Sequence, residues 1–342
     1  MPLPRKPGYV VAVVGATSAL GKEVIEQLEE RRFPLERLLL LVSQVDDRSL
    51  PESRRGLPMR VELLKREAFA GVDLALFCED PDIAARYSGV AAAAGALVLD
   101  LTGGTLESPG VAVVAPGLVA PAALAQAGRQ LALPSPMALA LAAVLAPLHA
   151  AAGVRRVVVA TYEAAATAGQ EGMDELLDQI RAILQQDEPP RRRFGRTLAF
   201  NVIPQTGPFG PGDETEPERE LARSLQRLLG LPELRVTGTV ARVPTFHGSA
   251  AAVNVELERP LSPEAARARL AAAPGVEVVD EPGEERYPVG LEAAGRDVVL
   301  VGRIRADRTV PAGLNLWLAA DDLRRGGAVA ALELLEALLP PR

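Results

Sequence analysis

The chain has 342 residues, of which 48% are hydrophobic and 24% charged, the balance of a globular protein long enough for two domains. Its net charge of −7 argues against a nucleic-acid footprint and gives no support to an anionic membrane surface as partner. One cysteine, Cys78, excludes an intrachain disulfide; with no secretory signal in the opening MPLPRKPG, a reducing cytoplasm is expected.

YVVAVV, residues 9–14, is a continuous β-rich apolar run, as a parallel strand buried on both faces requires. The turn GATSALG, residues 15–21, follows. KEVIEQLEERR then places Val24, Ile25 and Leu28 at helical spacing with charges on the other face. RLLLLVS, residues 37–43, is the next strand and completes a βαβ unit. The rhythm repeats with a strand over 73–79, an Ala-rich helix over 81–94, and strands over 96–102, 111–117 and just before Leu133. Alternating strand and helix predicts a doubly wound, Rossmann-like α/β domain.

Residues 134–154 are the longest apolar stretch. Rich in Ala and holding Pro147 and His149, it reads as a buried helix, not as the span of about 20 strongly lipid-soluble residues that a membrane asks for. Beyond it, VRRVVVATYEA, LRVTGTVARVP, AAAVNVELERP, RDVVLVGRIRAD and GLNLWLAAD read as strands of one sheet, with GQEGMDELLDQIRAIL a helix among them. This predicts an α+β domain whose mixed sheet is covered by helices on one face and by self-association on the other. Residues 187–193 and 207–218 read as exposed loops, and AVAALELLEALL closes the chain as a helix. The expected domains are 1–132 together with the C-terminal helix at 320–342, and 133–319.

The turn between the first strand and helix offers a helix N-terminus whose amides face a phosphate, with glycines that permit close approach. Gly15, Thr17, Ser18, Ala19, Leu20 and Gly21 are therefore candidates to hold a dinucleotide, with Ser18 where a central glycine would sit; the same residues could simply cap the helix. Ser43 ends the second strand, where a ribose would be read. Asp46 and Asp47 follow it, and carboxylates there repel a 2′-phosphate, which favours NAD over NADP. Cys78 ends a strand at the ligand-binding edge of the sheet, but Glu79 and Asp80 beside it should raise its pKa, and a small buried apolar residue is the favoured reading. No Cys, His or acidic spacing suggests a metal.

Several stretches resemble one family: VVGATSALGKEV, VVVATYEAAATAGQEGMDEL, LAFNVIPQTGPF, ARVPTFHGSAAAVNVE and VGRIRADRTVPAGLNLWLAADDLRRGGA. Together they are similar to aspartate-semialdehyde dehydrogenases along both domains. The resemblance implies a dimer, an NADP-binding N-terminal domain and a cysteine thioester mechanism on a phosphorylated aspartate. It also shows where this chain departs. The family's nucleophile lies in an Asn-Pro-Asn-Cys turn; here the turn is Leu133-Pro134-Ser135-Pro136, and proline offers neither a nucleophile nor an N–H. Arg242 matches a substrate-binding arginine and is the candidate to hold an anion, or else forms an ordinary strand salt bridge. Ser249 stands where the acid/base histidine would be, with His247 two residues earlier and, if in the same strand, about 6–7 Å along it. Glu163 replaces a glutamine and Asp322 an asparagine near the cofactor. Leu101-Thr102-Gly103-Gly104-Thr105-Leu106 replaces a phosphate-gripping segment and lacks its arginine. Cys78-Glu79-Asp80-Pro81 replaces a small-residue turn.

Two readings follow. In the first the chain is a pseudoenzyme, a homodimer that binds NAD or NADP or a protein partner, including as a regulatory subunit paired with an active relative. In the second it is an active NAD(P)-dependent oxidoreductase that acts on an aldehyde or oxo group by an altered mechanism, with His247, Ser249 or Tyr162 as candidate proton donor.

Overall fold

The computed structural model describes residues 3, 5–44, 59–118 and 128–340; Asp46 and Asp47 lie outside them. The chain divides into two compact units, Met1–Pro134 with Gly327–Arg342, and Ser135–Gly326.

In the first unit, β1 (Tyr9–Val14), α1 (Ala19–Glu30) and β2 (Leu35–Val42) form the opening βαβ. β3 (Glu62–Leu63), β4 (Leu74–Phe77), α2 (Pro81–Ala93), β5 (Leu97–Asp100), β6 (Ala112–Val113) and β7 (Gln130–Ala132) follow. The sheet runs β3-β2-β1-β4-β5-β7-β6, every pairing parallel. Strand order reverses between β1 and β4, and at such a switch the carboxyl ends of the strands open a crevice. All six residues of β1 are buried, each large apolar side chain contributing about 1.5–3 kcal/mol. The C-terminal helix Val329–Leu338 belongs to this unit, with Glu336 paired to Arg31 after α1 at 3.1 Å. The strand expected over 111–117 is only two residues long. Pro116 can donate no ladder bond and Gly117 turns left-handed at φ 70°, so the extended segment stops there.

In the second unit, α3 (Pro136–Ala152) starts at Ser135 with proline in its first position, where a missing N–H costs nothing. Its long buried face packs along β8 (Val154–Glu163) and three further strands of the sheet. α4 (Gly169–Leu184) and α5 (Glu216–Leu229) precede β9 (Arg235–Arg242) and β10 (Ser249–Leu257). Then come α6 (Pro263–Ala271), β11 (Val276–Val278), α7 (Gly290–Ala293), β12 (Val299–Ala306) and β13 (Gly313–Ala320). The order is β11-β12-β13-β10-β8-β9, with β8–β9 and β11–β12 parallel and the rest antiparallel, a mixed sheet. A cavity of about 410 Å³, lined by Ala252, Tyr287, Pro288, Val289 and Trp317 among others, opens on this unit.

No helix among the described residues is long and apolar enough to cross a membrane.

Candidate functional site

The glycine turn of the first unit is built tightly. Gly15 takes φ 86° and its N–H donates to Leu41 O at 2.7 Å. A Cβ at Gly15 would run into Glu79, and one at Gly21 into the Gly15 carbonyl, so glycine is required at both places. Ser18 caps α1: its Oγ accepts from Gly21 N at 2.9 Å and donates to Cys78 O at 2.7 Å. The Ser18 hydroxyl is thus committed to the turn, leaving Thr17 and the first-turn amides of Ala19 and Leu20 to face a ligand. Ser43, exposed at the end of β2, donates to Glu79 Oε1 at 2.5 Å. This glycine cradle at the switch of strand order fits the pyrophosphate and ribose of a dinucleotide.

Other residues of the crevice are structural. Cys78 is buried and its thiol is pushed up, by loss of solvent first and then by the Asp100 carboxylate. The flanking acids expected to cause this do not: Asp80 instead caps α2, accepting from Asp82 N at 2.8 Å. Asp100 accepts from the N–H and hydroxyl of both Thr102 and Thr105, folding the 101–106 loop onto one carboxylate.

In the second unit the residues singled out by the departures from the family pattern come together. Ser135, before α3, does not cap its own helix; its Oγ donates to Glu220 Oε2 at 2.7 Å, and Glu220 Oε1 also accepts from Ser224 at 2.6 Å. Pro136 packs so closely on Gly326 that a Cβ there would strike its ring. Parallel pairing of β8 and β9 sets Glu163 opposite Arg242, with Glu163 Oε2 3.6 Å from Arg242 Nη2. Arg242 also donates to Ala164 O at 3.0 Å and to Thr167 Oγ1, and lies over the Phe194 ring. Ser249 is fully buried at the start of β10; its Oγ accepts from Ala164 N at 2.9 Å.

Asp322 closes the cluster from beyond β13. Burial, opposed by hydrogen bonding from Ser249 and reinforced by Glu163 and Asp321, pushes its carboxyl up to about 7. Its Oδ2 is buried with no hydrogen-bond partner. Glu163 is also raised, by burial first, with Arg242 pulling it down and Glu220 pushing it up. Arg242 is lowered, chiefly by burial, against the pull of Glu163 and Asp322.

Two of the candidate proton carriers, His247 and Tyr162, sit differently from expectation. His247 is exposed in a bend before β10, because Gly248 turns left-handed at φ 80° against Gly290 and ends the strand at Ser249. Tyr162 alternates with Glu163 on β8, so it points to the opposite face and packs on Trp317 at 5.5 Å. His149 serves the end of α3, its Nδ1 accepting from Val154 N at 3.0 Å. Glu220 and Thr167 were not singled out from the sequence, and no local pattern marks them. Glu79 had a signal, an acid directly after the strand that pairs with β1. Among the described residues, no group of three or more His, Cys, Asp or Glu is placed to hold a metal.

Comparison with known proteins supplies the lineage. Residues 145–325 match the family described as semialdehyde dehydrogenase, dimerisation domain, and residues 10–127 that described as semialdehyde dehydrogenase, NAD binding domain. The aspartate-semialdehyde dehydrogenase of Aquifex aeolicus is 33% identical over 336 residues, covering 97% of this chain and 98% of the relative. That of Synechocystis is 34% identical over 329 residues, covering 96% and 97%. The crystal structure of aspartate semialdehyde dehydrogenase II from Vibrio cholerae, complexed with ASA, superposes with a TM-score of 0.89 at 32% identity, covering 97% of this chain and 98% of that one. On this evidence of sequence and fold, the chain belongs to the aspartate-semialdehyde dehydrogenase family.

Proposed function

We propose that this chain is a homodimeric, dinucleotide-binding member of the family that does not carry out the thioester oxidation of aspartate semialdehyde. One observation carries the reading: Arg242, the residue matched to the family's substrate arginine, has its charge met by the chain's own Glu163. An external carboxylate would have to displace that partner. The neighbouring substitutions act in the same direction. Pro136 supplies no nucleophile at the head of α3, Ser135 is held by Glu220, and Ser249 is a buried hydroxyl in place of an acid/base. Loss of either catalytic group costs on the order of 10² or more in rate.

The first unit takes the cofactor role in this reading, with Gly15, Thr17, Ala19, Leu20 and Gly21 around the pyrophosphate and Ser18 holding the turn. The second unit takes the self-association role, supported by the match of residues 145–325 to a dimerisation domain. That match lends nothing to pairing with an unlike relative. The test is phosphate-dependent reduction of NAD and NADP with aspartate semialdehyde, beside light scattering of the pure protein. The expected result is a dimer without turnover; turnover above background overturns the reading.

A second reading, reduction of an aldehyde or oxo group without a thioester, is favoured by Asp322. A carboxyl raised to about 7 beside Ser249 holds a proton near neutrality, as a developing alkoxide requires. A bound dinucleotide would supply the hydride. NADH oxidation across a panel of aldehydes, lost in Asp322→Asn, would favour this reading over the first.

A further inference from the structure

The crevice of the first unit holds a carboxylate that the glycine turn does not need. Glu79 follows β4. Its Oε1 accepts from Ser43 Oγ at 2.5 Å, and its Oε2 is buried with no hydrogen-bond partner. Its backbone and Cβ close over Gly15 so tightly that no side chain fits there. Ser43, Gly15 and Glu79 follow β2, β1 and β4, the three strands on which the strand order reverses. A ribose is read at this edge, and a carboxylate that reads it takes the hydroxyl protons of an unphosphorylated diol.

We propose that Glu79, oriented by Ser43, selects a dinucleotide with a free adenosine 2′-hydroxyl and rejects one with a 2′-phosphate. The proposal rests on the dinucleotide-binding reading above and names its cofactor as NAD(H). Ser43 donates to Oε1 and so keeps the carboxylate at this edge. The terminal torsion of a glutamate is broad and two-fold, so either oxygen can turn to an incoming hydroxyl. The orphaned oxygen then gains the partner it lacks. A 2′-phosphate at the same place would face a carboxylate at short range in a partly buried setting, where like charges repel strongly. The selecting acid thus comes from the end of β4, on the far side of β1 from the loop after β2 in which it is ordinarily sought.

The test titrates NADH and NADPH into the wild type, Glu79→Gln and Glu79→Ala, read by nicotinamide fluorescence, with thermal melts of each apo protein. The wild type should hold NADH about tenfold or more tighter than NADPH. Glu79→Ala should weaken NADH about tenfold and collapse the preference. Glu79→Gln, which keeps the shape and loses the charge, should gain NADPH while holding NADH at an intermediate level. A wild type that prefers NADPH, or variants whose preference is unchanged, overturns the role of Glu79 and leaves dinucleotide binding standing. Failure of the wild type to bind either nucleotide at millimolar concentration overturns dinucleotide binding and this proposal with it. Should Glu79→Ala melt early, Glu79→Gln decides the outcome.

Discussion

Glu163 and Arg242 are direct neighbours in the parallel register of β8 and β9, and their charged ends stand 3.6 Å apart with both side chains largely buried. The pairing places an internal carboxylate on the guanidinium that the resemblance assigns to substrate. It also makes the two residues unequal. Arg242 keeps Ala164 O and Thr167 Oγ1 if Glu163 is removed, whereas among the described residues this arginine is the one ion-pair partner of Glu163.

Arg242→Met should therefore cost about 3 kcal/mol at neutral pH, because it leaves a buried carboxylate without its counter-charge. Glu163→Gln should cost about 1 kcal/mol or less, since an amide still packs and the arginine stays anchored. Urea unfolding of both variants measures the difference. The Glu163 carboxyl is already raised by burial, so the loss in Arg242→Met should shrink in mild acid as Glu163 takes up a proton. Equal losses in the two variants at every pH would refute the asymmetry.

Asp322 predicts a pH dependence of opposite sign to the usual carboxylate. Its folded pKa of about 7 lies above the ordinary value of 3.8. Between these values the folded state binds more protons than the unfolded state, so stability falls as pH rises through the window and levels off above the folded pKa. Asp322→Asn removes the titrating group. It should flatten the profile and raise the free energy of unfolding more at pH about 8 than at pH about 4.5, by an amount on the order of a few kcal/mol. A variant whose profile keeps the wild-type slope between those pH values would assign the dependence elsewhere.

Much of the architecture could be read from the residues because local pattern and global environment agree. The unbroken apolar run of β1 is buried on both sides, and the alternation in β8 matches a strand with unequal faces. Short elements escaped: β3 and β11 have two and three residues, too few to carry a period. In the site, Pro136, Ser249 and Arg242 could be singled out one by one from the family resemblance. Which side chain each of them meets could not. Glu163 meets Arg242 from another strand, Glu220 reaches Ser135 from α5, and Asp322 reaches Ser249 from beyond β13. Nothing in the sequence near each residue encodes such meetings; the sheet order does. His247 shows the converse, since its expected place in a strand depended on Gly248, whose left-handed turn at φ 80° only the packing on Gly290 demands.

Restoring the two family side chains should not restore the family chemistry. Pro136→Cys with Ser249→His provides a thiol and an imidazole, but Glu163 still occupies Arg242, and Leu106 stands where the resemblance places a phosphate arginine. Ser249 is fully buried and its Oγ accepts from Ala164 N, so histidine there overpacks the site at a cost of about 1–3 kcal/mol. The double variant should show no phosphate-dependent NAD or NADP reduction with aspartate semialdehyde, and adding Glu163→Gln should leave it silent. Turnover in the double variant would show that the blocked arginine is not what keeps the site inert.

The glycine turn separates residues that shape the cradle from those that merely cap it. At Gly21 a Cβ would meet the carbonyl of Gly15, a backbone atom with no rotamer to swing away, so the turn must open. Gly21→Ala should cost about 3 kcal/mol and weaken NADH binding by more than tenfold. Ser18→Ala deletes a hydroxyl that serves Gly21 N and Cys78 O. Its stability cost should be about 1 kcal/mol, the ordinary value of an N-cap, with NADH affinity changed by less than about threefold. Thermal melts and NADH fluorescence titration on the two variants give both quantities. A Ser18→Ala variant that binds as poorly as Gly21→Ala would mean that the hydroxyl contacts the nucleotide, in which case the cap seen here gives way when ligand enters.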